Sequence, residues 1–98
     1  MVDISAKEGK LICTFKGRLD TVNCAKWENE LFEKVGSEKL PVVFDLGNVE
    51  YVASGFLRVC LRISKLAGSD NLKLINVNEY VRKVYSLSGF DKYLSIES

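Results

Sequence analysis

Histidine is absent from the 98 residues. Its absence removes the side chain most used as a general base and metal ligand. Any Ser-His-Asp or Cys-His mechanism goes with it. Cysteine is scarce and odd in number. Cys13, Cys24 and Cys60 form no CxxC spacing, and each sits among apolar residues in a periodic segment. They are expected to be buried thiols acting as small hydrophobes, without a redox or metal role. An excess of charge of one sign is also missing. Fourteen basic and 13 acidic residues leave a net +1, which gives no reason to expect nucleic acid or an anionic membrane as the main partner. No run approaches the roughly 18 apolar residues of a membrane span. The opening MVDISAKEGK lacks the apolar run of a signal peptide, so a cytoplasmic protein is expected. Gly-rich phosphate loops, paired catalytic carboxylates and nucleophile-base pairs are not visible either. Neither enzymatic activity nor a bound cofactor or metal is therefore expected.

Hydrophobic residues make up 47% of the chain and charged residues 28%. That is ordinary for a globular protein of one domain, here residues 1–98. Val2 and Ile4 alternate with polar neighbours as in a short strand, and Glu8-Gly9-Lys10 reads as a turn. Leu11, Cys13 and Phe15 continue the alternation in a second strand, which Gly17-Arg18-Leu19-Asp20 should leave. Asp20 or Thr21 can cap a helix whose apolar face is Cys24, Trp27, Leu31, Phe32 and Val35. Gly36 is its expected stop. The single proline, Pro41, heads the apolar run Val42-Val43-Phe44-Asp45-Leu46, which reads as a central strand covered by helices on both faces. Gly47-Asn48 should then turn the chain.

A second helix runs from Phe56 to Ala67. It exposes Arg58, Arg62 and Lys65 along one face, a solvated surface or a contact for an acidic partner. Leu72 to Val77 reads as a strand, Asn78 as the cap of a helix carrying Val81, Val84 and Tyr85, and Tyr93 to Ile96 as a last short strand. The order β-β-α-β-α-β-α-β predicts an α/β fold with a mixed, mainly parallel sheet, an N-terminal hairpin and three helices. Tyr51, Tyr80, Tyr85 and Tyr93 receive no chemical role.

Three segments stand in a particular order: "FKGRLDT" from Phe15, "LPVVFDLGNVEYVASGFLRVCLRISK" from Leu40 and "LKLINVNEYVRKVYSLSGFDKYLSI" from Leu72. In this the sequence resembles the STAS family, the anti-sigma factor antagonists and their relatives, over most of the chain. The resemblance implies a binding switch. Such antagonists bind an anti-sigma factor that is also a serine kinase, and so free a sigma factor for transcription. The kinase phosphorylates one serine at the start of the second helix and breaks the complex; a serine phosphatase resets it. Ser54 is the matching position. A phosphate there is expected to face the backbone N–H groups of Gly55, Phe56 and Leu57 at the positive helix end. The plainer reading of Ser54 is a helix N-cap.

Asp20 matches the aspartate of a G-x-L-D motif, which the resemblance places on the partner surface; a helix cap is its other reading. Gly17 matches that motif's glycine. Asp45 and Asn48 match a "DL-x-N" pattern that would fix the switch loop through local hydrogen bonds. The family's switch reads Asp-Ser-Ser/Ala-Gly-Leu, whereas this chain has Ala53-Ser54-Gly55-Phe56-Leu57. Ala53 removes an acidic residue. Phe56 introduces a ring that is either buried or an exposed anchor for a partner. The residues expected on the partner surface are Asp20, Ala53, Ser54, Gly55, Phe56 and Arg58. The expected partners are proteins, with no direct nucleic acid or membrane contact, and a monomer is expected for the free protein. The alternative function is an adaptor subunit that is never phosphorylated, in a stress-signalling or transport-associated complex.

Overall fold

The computed structural model describes residues 2–92 and 94–97. Strands β1 (Val2–Lys7) and β2 (Lys10–Leu19) form the opening hairpin. Helix α1 (Thr21–Glu38), strand β3 (Val42–Val52), helix α2 (Ser54–Ala67), strand β4 (Leu72–Ile75), helix α3 (Glu79–Leu87) and strand β5 (Ser95–Ile96) follow. Short 3-10 turns occupy Ser69–Asn71 and Phe90–Lys92. The sheet runs β1-β2-β3-β4-β5, antiparallel between β1 and β2 and parallel thereafter. The mixed sheet with three crossover helices is as expected. Tyr93, assigned to the last strand from sequence, lies outside the described residues.

The two-residue loop of the hairpin has positive φ at both positions, 53° at Glu8 and 75° at Gly9. That is the twist of a type I′ turn, which suits the right-handed twist of the flanking strands.

The core lies on one face of the sheet. Leu11, Cys13 and Phe15 of β2, Val42, Phe44 and Leu46 of β3, and Leu72 and Leu74 of β4 meet the buried residues of all three helices in a single cluster. Val43 is buried but stands outside that cluster, and its strand neighbours Ile12 and Lys73 on the same side are half-buried or exposed. The sheet is therefore covered by helices on one face only, which corrects the two-sided reading. An apolar run at β3 does not need a second helical layer, because Asp45 ends the outer-face run after a single buried valine.

Both strands also outrun the breaks expected from their glycines. β2 continues through Gly17 (φ 82°) to Leu19, and β3 continues through Gly47-Asn48 to Val52. Register shifts after Thr14 and after Gly17 let β3 carry extra residues relative to β2. Gly47-Asn48 therefore sits in a bulge and not in a turn. Asp45 holds this bulge: its Oδ1 accepts from the Gly47 N–H and from Asn76 Nδ2, each at 3.0 Å. The loop-fixing role expected of Asp45 is present, whereas exposed Asn48 makes no side-chain hydrogen bond among the described residues. Helix α1 likewise runs past Gly36, and its left-handed stop falls on Lys39 (φ 54°).

Candidate functional site

Strands β2 and β3 end together, with Leu19 paired to Val52. The Ala53 N–H donates to the Leu19 carbonyl at 3.0 Å, so α1 and α2 begin side by side at the carboxyl end of the sheet, where α/β folds commonly place their sites. Asp20 caps α1, its Oδ1 accepting from the Asn23 N–H at 2.9 Å. Asn23 Nδ2 donates back to the Arg18 carbonyl at 3.0 Å. Of the two candidates, Asp20 is thus the cap and Thr21 the first helical residue.

Helix α2 starts differently. Its N-cap is Ala53, which offers no side-chain hydrogen bond, and Ser54 is the first residue inside the helix. The cap reading of Ser54 is therefore corrected: the main chain of Ala53 takes that place. The Ala53 carbonyl accepts from the N–H groups of Phe56 (3.0 Å) and Leu57 (3.3 Å). Those two donors are occupied, contrary to the expectation that they would face a phosphate. The donors of this helix end left without a partner among the described residues are the N–H groups of Ser54 and Gly55. Ser54 is exposed, and its hydroxyl has no hydrogen-bond partner among the described residues.

Gly55 and Phe56 are buried, so neither residue presents surface to a partner. Phe56 is 0% exposed. Its ring meets Phe15 at 5.1 Å, Phe44 at 6.0 Å and Trp27 at 6.3 Å between centroids. The placement of Phe56 as an exposed anchor is corrected: a first-turn position on the inner side of α2 drives an aromatic ring into the core, where edge-to-face neighbours favour it. Ala53 is half-buried, Asp20 is half-buried and Arg58 is exposed. Ser54, Asp20, Ala53 and Arg58 are the expected residues with surface at this end. Arg62 is committed elsewhere, 3.3 Å from Glu28 and 4.0 Å above the Phe32 ring.

Sequence reasoning missed two neighbours of the site. Thr21 packs against Gly55. Arg18 lies 4.4 Å above the Tyr51 ring, which stacks on Tyr80 at 6.4 Å. Residues so far apart along the chain give no periodic signal; only the β2–β3 register, which pairs Arg18 with Tyr51, brings the first two together.

The three thiols are buried, as expected. Desolvation raises Cys13 and Cys60 to about 12 and Cys24 to about 11. Cys60 Sγ lies 3.2 Å from the Tyr85 hydroxyl, whose pKa burial also pushes well up. Protonated thiols are poor nucleophiles. Among the described residues, no group of three Cys, Asp or Glu side chains gathers to hold a metal ion.

At the start of α2, Ser54 thus presents an exposed hydroxyl with no hydrogen-bond partner among the described residues. The chain matches the STAS domain over residues 1–98. It belongs to the STAS domain family. The STAS chain is 34% identical over 85 residues to BtrV of Bordetella bronchiseptica, named a candidate anti-sigma factor antagonist; the match covers 85% of this chain and 73% of that one. The crystal structure of a candidate anti-sigma factor antagonist from Thermotoga maritima superposes with a TM-score of 0.87 at 22% identity, covering 99% of this chain and 86% of the other. SpoIIAA, a Bacillus cell fate determinant, in its phosphorylated form gives 0.71 at 12% identity, covering 100% and 92%. At such identities these two structures speak to the fold. No helix of this STAS domain, among the described residues, is long and apolar enough to cross a membrane.

Proposed function

We propose that this STAS domain is an anti-sigma factor antagonist. It binds an anti-sigma factor that is also a serine kinase, releases a sigma factor, and is switched off by phosphorylation at Ser54. The reading places the protein in the cytoplasm with its kinase and a serine phosphatase. One observation carries it: the Ser54 hydroxyl is exposed and partnerless while the cap position belongs to Ala53. Ser54 therefore has no local structural task that phosphorylation would disrupt.

A phosphate on Ser54 would bring about −1.5 to −2 charges. The free N–H groups of Ser54 and Gly55 and the positive end of α2 would stabilise it, so the helix stays folded. The cost falls on the complex. Close to a protein surface, an unfavourable charge pair at about 4 Å costs several kcal/mol. Asp20, Ala53 and Arg58 border the serine and complete the proposed contact surface, whereas Gly55 and Phe56 support it from beneath.

The test is intact-mass spectrometry of the protein from its own cells, with site mapping. A gain of about 80 Da, one phosphate, on Ser54 and absent from Ser54→Ala is the expected result. Phosphate on another residue, with Ser54→Ala still labelled, would defeat the proposal. An unmodified mass in every growth state would favour a constitutive adaptor instead.

A further inference from the structure

Strand β1 is an edge of the sheet, and its charges form no ion pair among the described residues. Asp3 lies opposite Thr14, and Lys7 lies opposite Lys10. Asp3 and Lys7 are exposed, and neither makes an ion pair among the described residues. They stand four positions apart on one side of an extended strand. At about 3.4 Å per residue they are too far apart to meet each other.

The turn fixes which peptide groups face outward. A type I′ loop closes on the Lys7–Lys10 pair, so the hydrogen-bonded pairs of the hairpin are Lys7–Lys10, Ser5–Ile12 and Asp3–Thr14. The N–H and C=O groups of Val2, Ile4 and Ala6 then point away from β2. On the core side of this edge, Val2 and Ile4 line an open cleft of about 570 Å³ with Glu30, Glu33, Lys34 and Ser37 of α1.

We propose that β1 is a self-complementary edge that pairs antiparallel with β1 of a second copy of this chain, about a two-fold axis at Ser5. Antiparallel partners opposite each other must point to the same face, so only registers that match even residues with even and odd with odd are allowed. With Ser5 on the axis, Asp3 lies opposite Lys7 of the second copy, and Lys7 opposite its Asp3. Ile4 and Ala6 exchange the outward N–H···O=C bonds across the axis. The charge pairs fall at non-hydrogen-bonded positions, where side chains stand closest. Two five-stranded sheets become one, isologous as two-fold contacts are. Ser54, at the far end of the central strand β3, is left free.

The experiment is sedimentation velocity of the whole chain over a wide concentration range, on the wild type, Asp3→Lys, Lys7→Asp and the double reversal. The wild type should dimerise as concentration rises. Each single reversal should weaken the dimer at least ten-fold, and Asp3→Lys with Lys7→Asp should restore it to within a few-fold. Circular dichroism confirms that each variant is folded. Amide hydrogen exchange should show Ile4 and Ala6 gaining protection with concentration, with Asp3 and Ser5 already protected by β2. A monomer at every concentration would overturn the proposal, as would a dimer indifferent to both reversals or one whose β1 amides gain no protection.

Discussion

Gly55 and Thr21 touch across the starts of two helices. A Cβ added at Gly55 would lie 2.7 Å from Thr21 Oγ1 and 3.0 Å from Thr21 Cα. Elsewhere within a helix, Gly→Ala gains roughly 0.5–1 kcal/mol. Here the backbone contact cannot be relieved by a rotamer change. Gly55→Ala should therefore destabilise by about 1–3 kcal/mol, in the range of overpacked cores. Urea unfolding measures it. A stabilised Gly55→Ala would mean the two helix starts move apart freely.

The division of labour between Ala53 and Ser54 gives a paired expectation. Ser54→Ala removes a hydroxyl without a partner among the described residues, so stability should change by less than about 0.5 kcal/mol. Ala53→Asp supplies a side-chain acceptor at the true cap position, whose φ of −107° and ψ of 173° already suit it. It should stabilise by about 1 kcal/mol. A large loss in Ser54→Ala would return the capping role to the serine.

Asp20 combines a cap with a place on the proposed partner surface, and two substitutions separate these. Asp20→Ala should cost about 1 kcal/mol, since the bond to the Asn23 N–H is lost. Asp20→Asn keeps a comparable cap while removing the charge, so its stability should stay near wild type. Thermal unfolding of both variants checks the expectation; equal losses would show that the charge, and not the hydrogen bond, stabilises this end.

The buried thiols predict sensitivity to alkali. Below pH 9 they are neutral in both folded and unfolded chains. Above it the unfolded thiols ionise, whereas burial keeps Cys13 and Cys60 protonated to about 12 and Cys24 to about 11. The unfolded state then binds fewer protons, so stability falls as pH rises through this window. By pH 10 the loss should be on the order of 1 kcal/mol per thiol. Urea midpoints at pH 8 and pH 10 test it, and unchanged midpoints would count against the burial. A thiol reagent at pH 8 should label none of the three until the protein unfolds.

How much could be read in advance depended on whether a side chain carried the signal. Asp20 and Asn78 both announce their caps because each bonds a backbone N–H three residues on. The helix faces of Cys24, Trp27, Leu31 and Val35, and of Val81 and Tyr85, follow from spacing alone. Ala53 gives no such notice, because its capping is done by a carbonyl that every residue has. Gly36, Gly17 and Gly47 misled in the same direction. Glycine permits a break without requiring one, and here a long helix and two strands, one of them bulged, passed through them. Phe56 was ambiguous in sequence because its inward orientation depends on Phe15, Phe44 and Trp27 from three other elements.

The two free donors at the start of α2 belong to the main chain. No side-chain replacement at Ser54 or Gly55 short of proline can delete them, and the Leu19–Ala53 link that aims them is likewise built of peptide groups. Such a seat can outlast wide divergence of the amino acids around it. Under the proposed function, discrimination between partners would then be left to the few neighbours whose side chains reach solvent.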